Sequence, residues 1–480
     1  MRNLALLTDF YQLTMMNGYL KHNIHEDIVV FDFFFRKNPC KSSYTIIAGM
    51  EQAVDYIENL KFTEDDITYL RGLGFNEDFL DALKDFKFSG TIYAVPEGSI
   101  MFPNEPILRV KARSFEAQLI ETALLNIINF QSLIATKASR ICEAAEGDNV
   151  FEFGLRRAQA PDAGVYGARA AIIGGCSSTS NVLTGKLFDI PVVGTQAHSW
   201  IQSFDTELEA FQAYADTYPD NCLLLVDTYD TLNSGVPNAI KVFKELREKG
   251  YEPKGIRIDS GDIAYFSKEA RKMLDAAGFE KVSIVASSDL DEEVIYSLKM
   301  QKAAIDSWGV GTKLITSSGC PALGGVYKLS AVEQNGEFIP KLKISENPEK
   351  ITNPGYKKVI RIYDTLHNKA QADLIMLEDE VIDTDKPLTI FHPVYTWKKK
   401  TFVDYKIREM LIPMYVDGKL VYPRKTVKEI KAYTVEELNT LWPEYKRFNR
   451  PQLYKVDLSE KLWHLRNDML NTYKEKGSLL

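Results

Sequence analysis

The 480 residues are 45% hydrophobic and 26% charged with a net charge of −8, a balance that predicts a soluble globular chain of two or three domains. The acidic excess excludes the dense basic field of a nucleic-acid-binding surface, and no apolar run approaches the roughly 20 residues of a membrane helix. Five cysteines, odd in number and without a C-x-x-C pair, point to reduced thiols in a cytoplasmic protein, each a small core hydrophobe, and against a disulfide framework or a structural zinc site.

The opening MRNLALLTDFYQLT holds only a four-residue apolar run before Asp9, too short for the core of a signal peptide, so export is not expected. Residues 1–113 mix strand-like runs, IVVFDFFF at 28–35 and GTIYAV at 90–95, with helical stretches at 47–59 and 64–71, and predict an α/β layer. From Ser114 to Ala145 apolar residues recur at helical spacing with no Pro or Gly until Gly147, which predicts a long helix bridging into the next domain. Between 150 and about 315 short apolar runs alternate with amphipathic stretches at 206–216, 236–249, 262–277 and 291–301. Near-continuous apolar strands alternating with helices require a parallel sheet covered on both faces, and seven such units in succession favour a β/α barrel over an open sheet. Beyond 330, Lys, Pro, Gly and aromatic residues interleave as hairpins and loops; KKK at 398–400 reads as a solvated loop, and a last helix is predicted at 459–475. The expected domains are 1–113, 114–345 for the barrel, and 346–480.

A barrel gathers its site at the carboxyl ends of its strands. The runs VFEFGLRR, GGCSSTSN, IPVVGTQAHS, CLLLVDTYDT, GIRIDSGD, VSIVASSD and AAIDSWGVGT place Arg156, Arg157, Thr179, His198, Asp227, Arg257, Asp259, Ser287 and Thr312 there, among glycines at 154, 194, 261, 309 and 311. Arginines and glycine-flanked amides hold phosphate and carboxylate oxygens, so the expected substrate is polyanionic. Gly309 and Gly311, in the last strand-to-helix loop, would let the backbone approach an oxyanion. Arg257 and Asp259 lie two apart on one strand and face one side, which suits either a site or a plain ion pair; the Gly261-Asp262 just beyond favours the site. LLLVDTYDTLNSG only loosely matches the sugar-pyrophosphate loop of type I phosphoribosyltransferases, because Asp227 and Asp230 are not adjacent. His22, His25, His367, His392 and His464 carry no such context, whereas His198 follows an apolar strand and the Gly194-Thr195 turn, with Ser199 beside it. An imidazole there suits a base, a ligand or a nucleophile; no second histidine at ligand spacing supports a metal.

TDFYQLTM at 8–15, FEFGLRRAQAPD at 151–162, STSNVLTGKLFDIPVVGTQAHSW at 178–200, RIDSGD at 257–262 and GVGT with GGVYKL at 309–329 together resemble the nicotinate phosphoribosyltransferases, with further similarity at KISENPEKITNPG. The resemblance implies the type II phosphoribosyltransferase fold: an irregular parallel β/α barrel joined to an N-terminal α/β sandwich domain, with a C-terminal extension. It implies that nicotinate and 5-phosphoribosyl pyrophosphate give nicotinate mononucleotide and pyrophosphate, coupled to ATP hydrolysis with Mg²⁺, in NAD synthesis. It further implies a homodimer with shared sites. By resemblance His198 is the histidine phosphorylated from ATP, Tyr11 and Phe153 stack on the pyridine ring, Tyr11 from the partner subunit, and Arg257 with Thr195 holds nicotinate. Arg156, Ser287, Gly309, Gly311 and Thr312 match the phosphate-holding set, and Asp259 and Asp227 are partners for Mg²⁺ or the ribose hydroxyls, Asp259 being the expected metal ligand. There is no P-loop sequence, so ATP is expected to borrow the phosphate site near His198.

Three other readings compete. The nicotinamide-specific relative shares the fold and holds its amide with an acid at the position aligned with Thr179, where a neutral hydroxyl suits a carboxylate ligand instead. Lys313, following GVGT, could serve a Schiff-base lyase. A non-catalytic nucleotide sensor would bind without releasing pyrophosphate.

Overall fold

The computed structural model describes residues 3–475. The chain divides into two compact units, one from the residues up to Leu133 together with those from Ala322 onward, the other from Ile134–Pro321.

In the first unit, IVVFDFFF folds as the strand Ile28–Phe35, and six of its eight residues are buried, as an apolar run with side chains on both faces demands. It sits inside a seven-stranded antiparallel sheet, flanked by Leu108–Arg113 on one side and Gly325–Gln334 on the other. The pairing with Gly325–Gln334 departs from the expected boundaries, which grouped those residues with the barrel; a ladder between segments some three hundred residues apart leaves no local period in the sequence. Helices Glu64–Gly72 and Glu77–Lys84 start at Thr63 and Asn76, whose side chains accept from Asp66 N (3.2 Å) and Phe79 N (3.0 Å). A second sheet orders Tyr405–Glu409, Lys357–Asp364, Ala370–Leu377 and Val456–Leu458. KKK does not form a loop: Lys399 and Lys400 open the strand Lys399–Phe402, paired with Leu388–Phe391, and Lys400 Nζ donates to Gln371 Oε1 (2.8 Å). The last helix spans Glu460–Glu475.

The predicted long helix is two, Ser114–Leu119 and Glu121–Ala144. After it come the strands Asn149–Glu152, Ser178–Thr179, Leu223–Leu225, Gly255–Ile258, Ser283–Ser288 and Ser307–Val310, all parallel. The last strand, Ser307–Val310, pairs with the first, Asn149–Glu152, so the sheet wraps on itself. Beyond Ser178–Thr179 a single parallel bridge from Thr179 to Val192 adds a seventh stave. Among the described residues no ladder joins that stave to Leu223–Leu225, the edge strand at the other end. The result is an irregular β/α barrel, closed by backbone hydrogen bonds at one junction and open along one seam. Apolar strand residues such as Leu224, Ile256, Ile258, Ile284 and Val310 are fully buried under the flanking helices.

Candidate active site

At the carboxyl ends of these strands lies a cavity of about 570 Å³. The turn after Asn149–Glu152 supplies Phe153, Leu155, Arg156 and Arg157, the segment after Val192 supplies Gly194 to His198, and Arg257 and Asp259 come from the Gly255–Ile258 strand and its end. Ser287 and Ser288 end the next strand, Ser283–Ser288, and Asp289 follows it; Gly309, Gly311 and Thr312 close the wall. Of the residues singled out from the sequence, His198, Phe153, Arg156, Thr195, Arg257, Asp259, Ser287, Gly309, Gly311 and Thr312 therefore converge on one space.

Side chains cross the open seam where backbone does not. His198 Nε2 lies 3.3 Å from Asp227 Oδ1, and the Asp227 side chain is only 1% exposed while that of His198 is 40% exposed. The other oxygen, Asp227 Oδ2, accepts from Asp259 N (2.9 Å) and Ser260 Oγ (2.6 Å). Asp227 thus stands outside the cavity lining and anchors both the imidazole and the loop that carries Asp259. Asp259 in turn accepts a hydrogen bond from Ser287 Oγ. Arg257 donates through Nη1 to Thr195 Oγ1 (2.5 Å) and through Nη2 to the Gln196 carbonyl (3.0 Å), while its Nε is buried without a partner. Burial lowers the Arg257 pKa, and Asp259 and Asp227 offset that only in part.

Several expected roles look different in space. Thr179 is fully buried and takes no part in the lining: its hydroxyl donates to Glu152 Oε2 (2.6 Å) and accepts from Asn181 N (3.0 Å), and the neighbouring Ser180 lines the cavity instead. Gly309 makes room for a side chain, because a Cβ there would come within 2.7 Å of the Phe153 ring. Tyr11, on the helix Phe10–Lys21 of the first unit, is about half exposed, and burial, with Glu121 and Asp9 nearby, raises its phenol pKa. Lys313 lies outside the lining, ion-paired to Asp291 at 2.8 Å with a raised pKa, the reverse of what an amine nucleophile needs. Ser180, Gln196, Ser288 and Asp289 also line the cavity and are not among the residues picked from the sequence; the signal for the last two is their place in VSIVASSD, at and just beyond the end of a buried strand.

An incompletely closed β/α barrel whose strand ends ring one cavity with guanidiniums, hydroxyls and glycine turns defines a class of barrel built to hold anions. A sequence profile of the nicotinate phosphoribosyltransferase (NAPRTase) family matches residues 149–392, and profiles of its N-terminal and C-terminal domains match 6–129 and 356–466. Nicotinate phosphoribosyltransferase of Bacillus subtilis (strain 168) is 49% identical over 476 residues, which are 99% of this chain and 96% of that protein. The Homo sapiens protein of the same name is 32% identical over 522 residues, 97% of this chain and 96% of the relative. The crystal structure of human nicotinic acid phosphoribosyltransferase matches the fold with a TM-score of 0.84 at 30% identity, covering 96% of this chain and 99% of that one. The chain belongs to the nicotinate phosphoribosyltransferase family.

Proposed function

We propose that the protein transfers the phosphoribosyl group of 5-phosphoribosyl pyrophosphate to nicotinate, releasing nicotinate mononucleotide and pyrophosphate as a step of NAD synthesis, and that it couples this to ATP hydrolysis through His198. The observation that carries the reading is Arg257, a guanidinium in the wall of a substrate-sized cavity whose own hydrogen-bond partners are neutral. Such a group is matched by a planar carboxylate, which favours nicotinate over nicotinamide. With Thr179 committed to Glu152, that preference rests on Arg257 and no longer on the hydroxyl.

In the transfer, the pyridine nitrogen attacks the anomeric carbon, the C–O bond to pyrophosphate breaks, and the bonding pair leaves with pyrophosphate. No proton has to be removed from that nitrogen, so the residues act by positioning and charge. Phe153, in the cavity wall, offers a ring for the pyridine face, and Arg156, Ser287, Gly311 and Thr312, also in the wall, offer the charge, hydroxyls and amides suited to phosphate oxygens. Mg²⁺ takes one or two carboxylates and completes its shell with substrate phosphates and water, so Asp259 and Asp289 on the cavity wall fit it although the described residues hold no cluster of three acidic, His or Cys ligands. When bound, it would neutralise the leaving pyrophosphate. For the ATP step, a proton on His198 Nε2 directed at Asp227 leaves the Nδ1 lone pair for the γ-phosphorus. The N–P bond forms as the β–γ bridging P–O bond breaks and ADP leaves; water later cleaves the N–P bond to return imidazole and phosphate. Tyr11, half exposed on its helix, is the residue we assign to the partner subunit's site in a homodimer.

The test is pyrophosphate release with nicotinate against nicotinamide, each with and without ATP. Release with nicotinate, stimulated by ATP, is expected; equal release with nicotinamide would overturn the substrate assignment. His198→Ala should lose acid-labile labelling from γ-labelled ATP and uncouple hydrolysis from transfer, and full labelling in that variant would overturn the role of His198.

A further inference from the structure

We propose that Glu152 is a positioning residue of this site: its buried carboxylate staples together two cavity loops and so fixes where Phe153, Arg156 and Ser180 stand. Glu152 is the last residue of the strand Asn149–Glu152 and has no exposed surface. One carboxylate oxygen accepts from Gly154 N (2.5 Å) and the other from Thr179 Oγ1 (2.6 Å), whose oxygen in turn accepts from Asn181 N (3.0 Å). The Glu152 backbone carbonyl also accepts from Ser180 N (2.9 Å). One residue thus binds the turn that carries Phe153 and Arg156 to the turn that carries Ser180, and all three reach the cavity.

The staple leaves no room for slack. A Cβ at Gly154 would lie 2.8 Å from Glu152 Oε1 and 2.5 Å from Ile315 Cβ, so the backbone passes directly against the carboxylate. Both side-chain partners of Glu152 are neutral, and burial raises its pKa, so the group is a costly way to add stability. What it contributes is two directed acceptors at the rim of the barrel. Displacing a positioning loop by about 1 Å costs on the order of 100-fold in rate.

The inference rests on the transferase reading, so its test uses one readout that needs activity and one that does not. Purified full-length wild type, Glu152→Gln, Glu152→Ala and Thr179→Val are compared by KM and kcat for nicotinate and 5-phosphoribosyl pyrophosphate, and by amide hydrogen exchange over 153–157 and 179–181. Glu152→Ala is expected to raise both KM values about tenfold, with kcat lowered less, and to speed exchange in both segments. Glu152→Gln, which keeps an acceptor for Gly154 N and a polar contact to Thr179, should stay within about threefold of wild type. Should Glu152→Ala fail to fold, Thr179→Val still decides, because it leaves the Gly154 contact and is expected to raise KM about threefold and loosen 179–181 alone. Unchanged KM and exchange in a folded Glu152→Ala would overturn the proposal, as would a Glu152→Gln variant as defective as alanine with a displaced pH profile, which would mean that the charge itself acts. Wild type that releases no pyrophosphate with nicotinate would sink the transferase reading while the exchange data still judged the staple.

Discussion

Arg361, in the second sheet of the first unit, and Arg257, at the strand ends of the barrel, are both withdrawn from water, yet their surroundings are opposite. Arg361 is fully buried and its guanidinium meets carboxylates: Nε and Nη2 donate to Asp373 (2.9 and 2.6 Å), Nη2 also to the Ile100 carbonyl (2.7 Å), and Nη1 faces Glu437 at 3.4 Å. Burial alone would lower its pKa, but Asp373 and its neighbours hold it well above the usual arginine value. Arg257 is bonded only to a hydroxyl and a carbonyl, keeps a buried Nε without a partner, and has its pKa lowered. The same side chain is electrostatically complete in one place and incomplete in the other, and the incomplete one faces the cavity. A charge left in that state is a site for an incoming anion, whereas a completed one serves the fold.

The sharpest way to break this comparison is to remove a carboxylate from the complete centre. Asp373→Ala removes the carboxylate that takes the Nε and Nη2 hydrogen bonds of a buried guanidinium, leaving it Glu437 at 3.4 Å, and is expected to cost about 3–5 kcal/mol of unfolding free energy, read by urea denaturation. A loss below about 1 kcal/mol would show that Arg361 does not depend on Asp373.

Arg257→Ala should do the converse. Because no carboxylate is hydrogen-bonded to Arg257, the change is expected to shift the melting temperature little, while kcat/KM for nicotinate falls about 100-fold, a loss near 2.7 kcal/mol. Arg257→Lys should recover only part of that, because an ammonium lacks the planar fork. A variant that melts far lower with an intact KM would place Arg257 with Arg361 as a structural charge.

Much of this contrast was legible beforehand. Arg257 and His198 stood at the ends of apolar runs, and the change of period between buried strands and amphipathic helices shows in the residues themselves. What failed to show were features set by distant or very short pieces. Ser178–Thr179 is a two-residue strand, too short to fix which residue faces inward, and a slip of one residue exchanged Thr179 for Ser180 at the cavity. The space beside Gly309 is filled by Phe153, which the sequence places more than a hundred residues earlier. The strand Gly325–Gln334 joined Ile28–Phe35 for the same reason: its partner is remote, and apolar alternation says only that some partner exists.

Glu152 and Glu105 extend the comparison to acids. Burial raises both, Glu105 further through Asp373 beside it. A carboxyl whose folded pKa lies above its unfolded value stabilises fully below that unfolded value, near 4.3, and the contribution is lost as pH rises through the folded value. Glu152→Gln removes this loss, so its melting temperature should exceed that of wild type by about 2 °C at pH 8, with the difference closing as pH falls toward the unfolded value. A difference that widened on acidification would mean that the carboxylate is held charged in the folded protein.

The smallest effect belongs to Lys313. Its ammonium pairs with Asp291, whose carboxylate also caps the helix Glu292–Met300 by accepting from Val294 N (2.9 Å). Burial pushes the Asp291 pKa up, but Lys313 and the Val294 N–H together hold it below the usual range. The pair is partly exposed, with side-chain exposures of 33% and 16%, so Lys313→Met should cost less than about 1 kcal/mol while the cap survives. Because the Asp291 pKa is depressed, the pair contributes above the unfolded carboxyl pKa, near 3.9, and its contribution disappears as pH falls through the lower folded value; the melting difference between variant and wild type should vanish there. The same variant separates the cavity from the lysine beside it. Pyrophosphate release should persist in Lys313→Met, and borohydride with sugar phosphates should trap no adduct on the wild-type lysine, since a raised pKa keeps that amine protonated. A trapped adduct at Lys313 would move the chemistry to the lyase reading and leave Arg257 as a bystander.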